Sequence, residues 1–145
     1  MDSCNLILFT GSFLFLLILG LVLVLSRKKE KFSQVDPMIH ELHRIMADVH
    51  PKGNDISVSA GKKSFTINKK DVTLCLKDPS NEYFNKNMLV YVAIHELAHT
   101  VCKSVGHTDE FWKINDELLL KAEEKGFYDP SIKVVKSYLE HCGTH

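Results

Sequence analysis

Hydrophobic residues follow three different spacings along the chain, and each spacing predicts a different kind of element. After Pro37, apolar residues recur every three or four positions, which is typical of an amphipathic helix. Asp36 is its predicted N-cap, Pro37 its first helical residue and His50–Pro51 its end. The apolar positions of this predicted helix are Met38, Ile39, Leu42, Ile45, Met46 and Val49.

Short segments in which apolar and polar residues alternate come next, at Ile56–Val58, Ser64–Ile67 and Val72–Leu76. Alternation is the pattern of half-buried strands, so the three segments predict a small antiparallel sheet. The last strand is expected to offer an edge to an extended peptide. The lysines around the predicted hairpin are interpreted as solvated, and they are Lys62, Lys63, Lys69 and Lys70.

A continuous apolar run from Met88 to Val101 contains neither Gly nor Pro, and it predicts a buried helix that starts near Asn85–Met88. Gly106 is expected to break this helix and to turn the chain back. These helices and strands together predict the α+β class.

Two further helices are predicted after the turn. Thr108 caps the first, which ends at Gly126, and Asp129–Pro130 opens the second. The apolar positions of the first are Phe111, Ile114, Leu118, Leu119 and Ala122, and those of the second are Ile132, Val135, Tyr138 and Leu139.

The N-terminal stretch Leu6–Leu25 consists mainly of Leu, Ile, Val and Phe and carries no charge. As a helix it would cover about 30 Å, so it predicts one transmembrane span. A cleaved signal peptide is the rival interpretation, but it needs a basic start and a small-x-small cleavage site, which are not evident. The predicted organisation is a short N-terminus over residues 1–5, a span over 6–25, a basic linker over 26–36 and one folded domain over 37–145.

Basic residues flank this predicted span on one side only. None precedes it, whereas Arg27, Lys28, Lys29 and Lys31 follow it directly. The positive-inside rule therefore predicts a single-pass membrane protein with its N-terminus outside and its C-terminal domain in the cytosol.

Charge and cysteine content narrow the function classes further. The chain has 18 basic and 18 acidic residues, so it lacks the basic excess of a nucleic-acid binder, and no nucleic-acid partner is expected. No CxxC spacing occurs among its four cysteines, so no disulfide framework is predicted, which agrees with a reducing compartment. The cysteines are Cys4, Cys75, Cys102 and Cys142.

The buried helix contains the motif His-Glu-x-x-His as His95, Glu96 and His99. On a helix, residues four apart lie one turn above each other, so two imidazole nitrogens can converge on one metal ion. Glu96 projects from nearly the same side and can reach a water molecule there without replacing it as a ligand. The competing interpretation is a pair of core histidines, but these polar groups are costly to bury in an apolar run unless a metal satisfies them. The motif therefore predicts one zinc ion per chain.

A catalytic zinc site takes three protein ligands and leaves one position open, so a third ligand is required. His107 is the favoured candidate, because it directly follows the predicted turn at Gly106. Asp109 and Glu110 are the alternatives, either as ligands or as residues that orient a histidine.

A second group of similar composition occurs in the first predicted helix, where Glu41 lies between His40 and His43. The two histidines are three residues apart, and the surrounding helix face is polar. This group is therefore interpreted as solvated surface rather than as the metal site.

The stretch Tyr91–His99, followed by Gly106–Trp112, resembles the WLM family of zinc metallopeptidases, which is related to the SprT-like group. That family pairs a His-Glu-Leu-x-His helix with a downstream Gly-His, an acidic residue and Phe-Trp or Phe-Tyr. The similarity covers roughly Val72 to Leu120. The chain looks more like short membrane-anchored relatives, of the kind encoded by large DNA viruses and algae, than like the better-known members.

This resemblance implies a small zincin-like domain in which a short antiparallel sheet packs on the metal-binding helix. It implies that His95, His99 and His107 bind zinc and that Glu96 is the catalytic residue. The expected activity is hydrolysis of a peptide or protein substrate, with Glu96 as general base toward a zinc-activated water. The alternative is an anchored structural or adaptor protein in which zinc only holds the fold.

Overall fold

The computed structural model describes residues 14–25, 36–133 and 136–143. The chain divides between Val35 and Asp36 into two units. In the first unit, residues 14–25 form helix α1. The second unit starts within one residue of the predicted domain boundary and carries the other helices and strands described below.

The prediction of a transmembrane helix over Leu6–Leu25 is wrong. Among the described residues, no helix combines the length and the hydropathy that crossing a bilayer requires. At 1.5 Å per residue, α1 covers about 18 Å of a hydrocarbon core about 30 Å thick. This finding corrects two predictions. The first is a fold that includes a membrane-spanning helix, and the second is a single-pass membrane topology. Residues 6–13 and the basic residues of the predicted linker lie outside the described part of the chain.

Helix α2 spans Pro37–Val49 and begins and ends where the sequence predicts. The Oδ1 atom of Asp36 accepts a hydrogen bond of 2.9 Å from the amide of Met38, which confirms the N-cap. A 3₁₀ turn over Pro51–Asp55 follows the helix. The apolar face of α2 is buried as predicted, through Ile39, Leu42, Ile45, Met46 and Val49.

The sheet has three strands, β1 (Ser57–Ala60), β2 (Phe65–Ile67) and β3 (Asp71–Leu74), in the order β1-β3-β2. Strand β3 pairs antiparallel with β2 but parallel with β1, so the prediction of an antiparallel sheet is wrong for β1. Strand β3 follows β2 in a hairpin and lies between β1 and β2 in the sheet. The alternation of apolar and polar residues predicts strands, but it does not predict their order in the sheet. Since β3 is paired on both sides, it cannot offer the predicted edge, and β2 is the edge strand next to it.

Helix α3 spans Lys86–Val101, and its N-cap Asn85 accepts a hydrogen bond of 2.8 Å from the amide of Asn87. Most of its side chains are buried, as the apolar run predicts. The helix ends before Gly106, which lies in the following loop with a positive φ of 82°. Gly106 therefore shapes the loop rather than stopping the helix.

Helix α4 spans Asp109–Glu124, and the Thr108 side chain caps it by accepting a hydrogen bond of 3.3 Å from the Phe111 amide. At its other end Gly126 adopts a φ of 73° and donates to the carbonyl of Glu123 at 2.8 Å. These contacts confirm both predicted ends, because a left-handed glycine is a common helix terminator.

Helix α5 spans Lys136–Cys142, so it starts well after the predicted start at Asp129–Pro130. Asp129 instead forms a turn in which its Oδ1 accepts from the Ser131 amide at 2.8 Å. The same type of bond caps α2 and α3, so a local capping signal at Asp129 is not sufficient to start a helix where the following residues form a turn.

A disulfide joins Cys75 to Cys142, which corrects the expectation from the cysteine spacing that no disulfide framework is present. They are 67 residues apart, and no local spacing marks them as neighbours. Next to the disulfide, the buried Tyr138 hydroxyl donates to the carbonyl of Cys75 at 3.1 Å and contacts the Ser64 hydroxyl at 2.6 Å. Burial raises the pKa of Tyr138 to about 12, which keeps this hydroxyl protonated as a donor.

Candidate metal centre

Three histidines converge at the junction of α3 and α4. His95 and His99 lie one turn apart on α3, and His107 lies in the loop just before the α4 cap. The three ring centroids are 4.9–5.1 Å apart. The Nε2 atoms of His95 and His107 are 3.0 Å apart, and one ring nitrogen of each histidine lies within 4.8 Å of the other two.

This arrangement fits a divalent transition metal. Two nitrogens bound to one tetrahedral zinc at about 2.0–2.1 Å lie roughly 3.3 Å from each other. The distance between His95 and His107 is already close to that value, and a ring nitrogen of His99 lies within 4.8 Å of both. Three imidazoles are also a donor set that zinc and similar metals prefer, and they leave one coordination position open.

Glu96 lies between these ligands in sequence and is fully buried. The Thr66 hydroxyl, on β2, donates to its Oε2 atom at 2.7 Å. Its Oε1 atom has no hydrogen-bond partner among the described residues. A buried carboxylate oxygen without a hydrogen-bond partner raises the free energy of the folded protein. Its presence therefore indicates a proton, a water molecule or a cation that binds this oxygen.

Burial also changes the acidity of this carboxyl group. It raises the pKa of Glu96 to about 7, and the hydrogen bond from Thr66 partly opposes that shift. A divalent cation held by the neighbouring histidines favours the ionised form and lowers this pKa again. Burial and a bound cation therefore act on the pKa of Glu96 in opposite directions.

Two aromatic side chains at the start of α4 pack on the histidine rings. Phe111 stacks on His99 with ring centroids 4.3 Å apart, and it is fully buried. Trp112 stacks on His107 with centroids 5.5 Å apart, although its side chain is 44% exposed. These contacts restrict the orientation of two of the three rings, which preorganises the group for a metal.

The two acidic alternatives for the third ligand lie elsewhere. Asp109 and Glu110 are both exposed and do not belong to the group of converging donor atoms. Glu110 accepts a hydrogen bond of 3.3 Å from the Ser104 amide, and contacts with Ser104 lower its pKa. The structure therefore brings His107, and neither carboxylate, beside His95 and His99.

The similar group on α2 is engaged in other contacts. The Nε2 atom of His43 lies 2.9 Å from the carbonyl oxygen of Gly53, and Glu41 forms an ion pair of 2.5 Å with Lys86. His40 is exposed. These three residues do not converge on a common point among the described residues, which agrees with a surface role.

A second set of donor atoms occurs where α5 meets the sheet. Cys75, His141 and Cys142 lie within 4.8 Å of one another, but the two cysteines form the disulfide. A disulfide has no thiolate to offer, so the histidine group is the better metal site in this state of the protein.

The sequence does not reveal the contacts of two residues near the site. Thr66, the partner of Glu96, occupies the opposite face of β2 from Phe65 and Ile67, but the sequence does not show that α3 packs there. Lys69 was interpreted as solvated, yet its Nζ atom donates to the carbonyls of Cys102 and Ser104 after the end of α3. A cation at this position matches the negative end of the helix dipole.

The centre opens into clefts on two sides. One has a volume of about 400 Å³, and its lining includes Thr66, Lys69 and His99. The other has a volume of about 280 Å³, and its lining includes His95 and Trp112. His107 lines both clefts, His99 lines only the larger and His95 only the smaller, so each histidine can be reached from at least one side.

Relatives of this chain occur in viruses. It is 44% identical over 86 residues to uncharacterized protein 042R of Invertebrate iridescent virus 3, which covers 59% of this chain and 54% of that protein. Uncharacterized protein 136R of Invertebrate iridescent virus 6 is 39% identical over 113 residues, with 76% and 59% covered. Uncharacterized protein R325 of Acanthamoeba polyphaga mimivirus is 42% identical over 116 residues, with 78% and 57% covered.

The chain thus spans little more than half the length of these relatives. No protein-family model matches it, and no solved structure matches it. The resemblance to WLM peptidases stays a prediction, and the names of the relatives state no activity. The case for a function therefore depends on the geometry of the site.

Proposed function

We propose that the chain is a zinc-dependent peptidase with one zinc ion per chain. The observation that carries this proposal is the convergence of three histidine nitrogens beside a fully buried glutamate on the same helix. His95, His99 and His107 would hold the metal. When bound, zinc supplies a Lewis acid that polarises a carbonyl group and lowers the pKa of a water molecule.

Glu96 acts as general base and then as general acid. Its carboxylate accepts a proton from the attacking water and passes that proton to the leaving amine of the peptide. Thr66 holds one carboxylate oxygen by its 2.7 Å hydrogen bond and leaves the other oxygen for proton transfer. A rigid base is effective because little reorganisation is needed during the reaction.

Strand β2 and the larger cleft, which Thr66 of this strand lines, favour an extended peptide as substrate. Among the described strands, β2 pairs only with β3, so its other edge carries unpaired backbone groups. Thr66 on this strand also contacts Glu96, so the strand lies beside the site. An extended chain can add to such an edge through main-chain hydrogen bonds.

The rival proposal is a zinc site that only holds the fold. Structural zinc sites are closed by four protein ligands, whereas the described residues supply three to this centre. A purely structural site also gives no role to the buried carboxylate of Glu96. Both observations favour the peptidase.

Replacing Glu96 with Gln tests the proposal. We expect Glu96→Gln to keep one zinc per chain but to lower kcat by about 100-fold or more, because an amide cannot accept the proton. The measurement is hydrolysis of a fluorogenic peptide mixture by the zinc-loaded protein, with zinc content determined on the same samples. Glu117→Gln, an exposed substitution on α4, is the matched control and should keep normal activity. Equal hydrolysis by Glu96→Gln and the parent would contradict the mechanism, and zinc-loaded parent without hydrolysis would favour the structural role.

A further inference from the structure

The smaller cleft at the metal centre has apolar walls drawn from three helices. Met88 and Tyr91 come from α3, Trp112 from α4 and Leu139 from α5, and His95 lies on the same lining. Among the described residues, no lysine, arginine, aspartate or glutamate lines this cleft. An uncharged lining of this kind favours an apolar group over a charged one, because a charge would lose its hydration there.

Two large apolar side chains on this lining remain in contact with solvent. Trp112 is 44% exposed and Leu139 is 53% exposed. Each is the kind of side chain that a binding partner covers, since burial of apolar surface is the main favourable term in association. Their position on a cleft beside candidate metal ligands indicates that the group covering them is part of a substrate.

The volume of the cleft limits what it holds. At about 280 Å³ it is smaller than the roughly 300–1,000 Å³ of typical small-molecule pockets. A single large side chain is therefore a better occupant than a cofactor. Neighbouring residues of an extended peptide are about 3.3 Å apart, so a peptide whose carbonyl reaches the histidines places an adjacent side chain within reach of the cleft.

The cleft on the other side of the histidines differs in chemistry. Its lining includes Asn68, Lys69 and Ser104, which are polar or charged. The two clefts therefore differ in charge, because Lys69 lines the larger one and no such charged residue of the described chain lines the smaller one.

We propose that the smaller cleft binds a large apolar side chain next to the scissile bond, so that the substrates are extended or unfolded polypeptides cleaved beside Leu, Met or an aromatic residue. This inference rests on the proposed peptidase function. It adds a substrate class, and it makes Leu139 on α5 a specificity-determining residue.

A set of fluorogenic peptides that differ at one position tests the inference. The zinc-loaded full-length protein is assayed on matched peptides that carry Leu, Phe, Gly or Asp on either side of one bond. We expect kcat/KM to be at least about tenfold higher for Leu or Phe than for Gly or Asp on one side of that bond, which is the discrimination that an apolar pocket achieves. Similar rates for all peptides would overturn the inference and leave the peptidase intact. Zinc-loaded protein that cleaves none of them would overturn both.

A pair of matched variants assigns the preference to the cleft. Leu139→Asp places a charge on the lining, and Leu120→Asp places one on α4 at a leucine that is 55% exposed and outside the lining. Because both leucines are exposed to a similar degree, neither change should unfold the protein. We expect Leu139→Asp to reduce the ratio of Leu to Gly cleavage at least about fivefold, and Leu120→Asp to leave it unchanged. Equal ratios in the two variants would contradict the assignment.

Discussion

At the scale of single residues, the chemistry of the centre depends on how Glu96 is held. Its carboxylate is buried, one oxygen accepts a hydrogen bond from Thr66, and the other has no partner among the described residues. The His-Glu-x-x-His spacing made Glu96 predictable, because helix periodicity alone places it near the two histidines. Thr66 was not predictable, since its partner is 30 residues away and depends on how β2 packs against α3.

Replacing Thr66 with Val should destabilise the protein. Valine has a similar shape but no hydroxyl, so Glu96 Oε2 would lose its donor while staying buried. We expect the free energy of unfolding in urea to fall by about 1–3 kcal/mol. Thr73→Val on β3 is the matched control, because the Thr73 hydroxyl has only a 3.5 Å contact with the exposed Ser59 hydroxyl. Equal losses in the two variants would show that the bond from Thr66 to Glu96 contributes nothing specific.

At the scale of elements, the helices differ in how far the sequence predicts them. The limits of α2 and α4 follow from local signals, namely the caps Asp36 and Thr108 and the left-handed Gly126. The described part of helix α5 has seven residues, and a helix of about that length is not stable by itself in water. Its position depends on the disulfide and on the Tyr138 hydroxyl, two long-range contacts that leave no local mark in the sequence.

Breaking the disulfide should therefore loosen α5. We expect Cys142→Ser to lower the free energy of unfolding by about 2–4 kcal/mol, because the bridge closes a long loop in the unfolded chain. Urea denaturation of the parent, measured with and without a thiol reductant, should show the same loss on reduction. Cys142→Ser should not respond to the reductant. A parent protein whose urea midpoint is unchanged by reductant would contradict this role.

At the scale of the whole molecule, sequence patterns predicted the α+β class, a folded domain from about residue 37 and the residues that converge in the centre. They failed where the outcome depends on contacts between distant segments. Alternation predicts strands but cannot show that β3 inserts between β1 and β2. The apolar N-terminal stretch has the composition that is typical of a membrane span. Among the described residues, however, no helix has the length and hydropathy needed to cross a bilayer.

The candidate centre was more predictable than the sheet because two of its histidines share one helix. Helical geometry fixes the relation of His95 to His99 whatever the rest of the fold does. His107 required a further assumption about the loop after α3, and the structure places its ring nitrogen 3.0 Å from that of His95. Every functional proposal above depends on this group binding a metal.

Zinc affinity tests that claim most directly. The full-length protein, purified without chelators, is titrated with zinc in competition with a chromophoric chelator, alongside His107→Ala and the exposed control His40→Ala. We predict one zinc per chain in the parent and in His40→Ala, with affinity lowered more than about 100-fold in His107→Ala, because loss of a ligand should exceed the effect of losing an outer contact. A parent that binds no stoichiometric zinc, or His107→Ala with the affinity of the parent, would contradict the account.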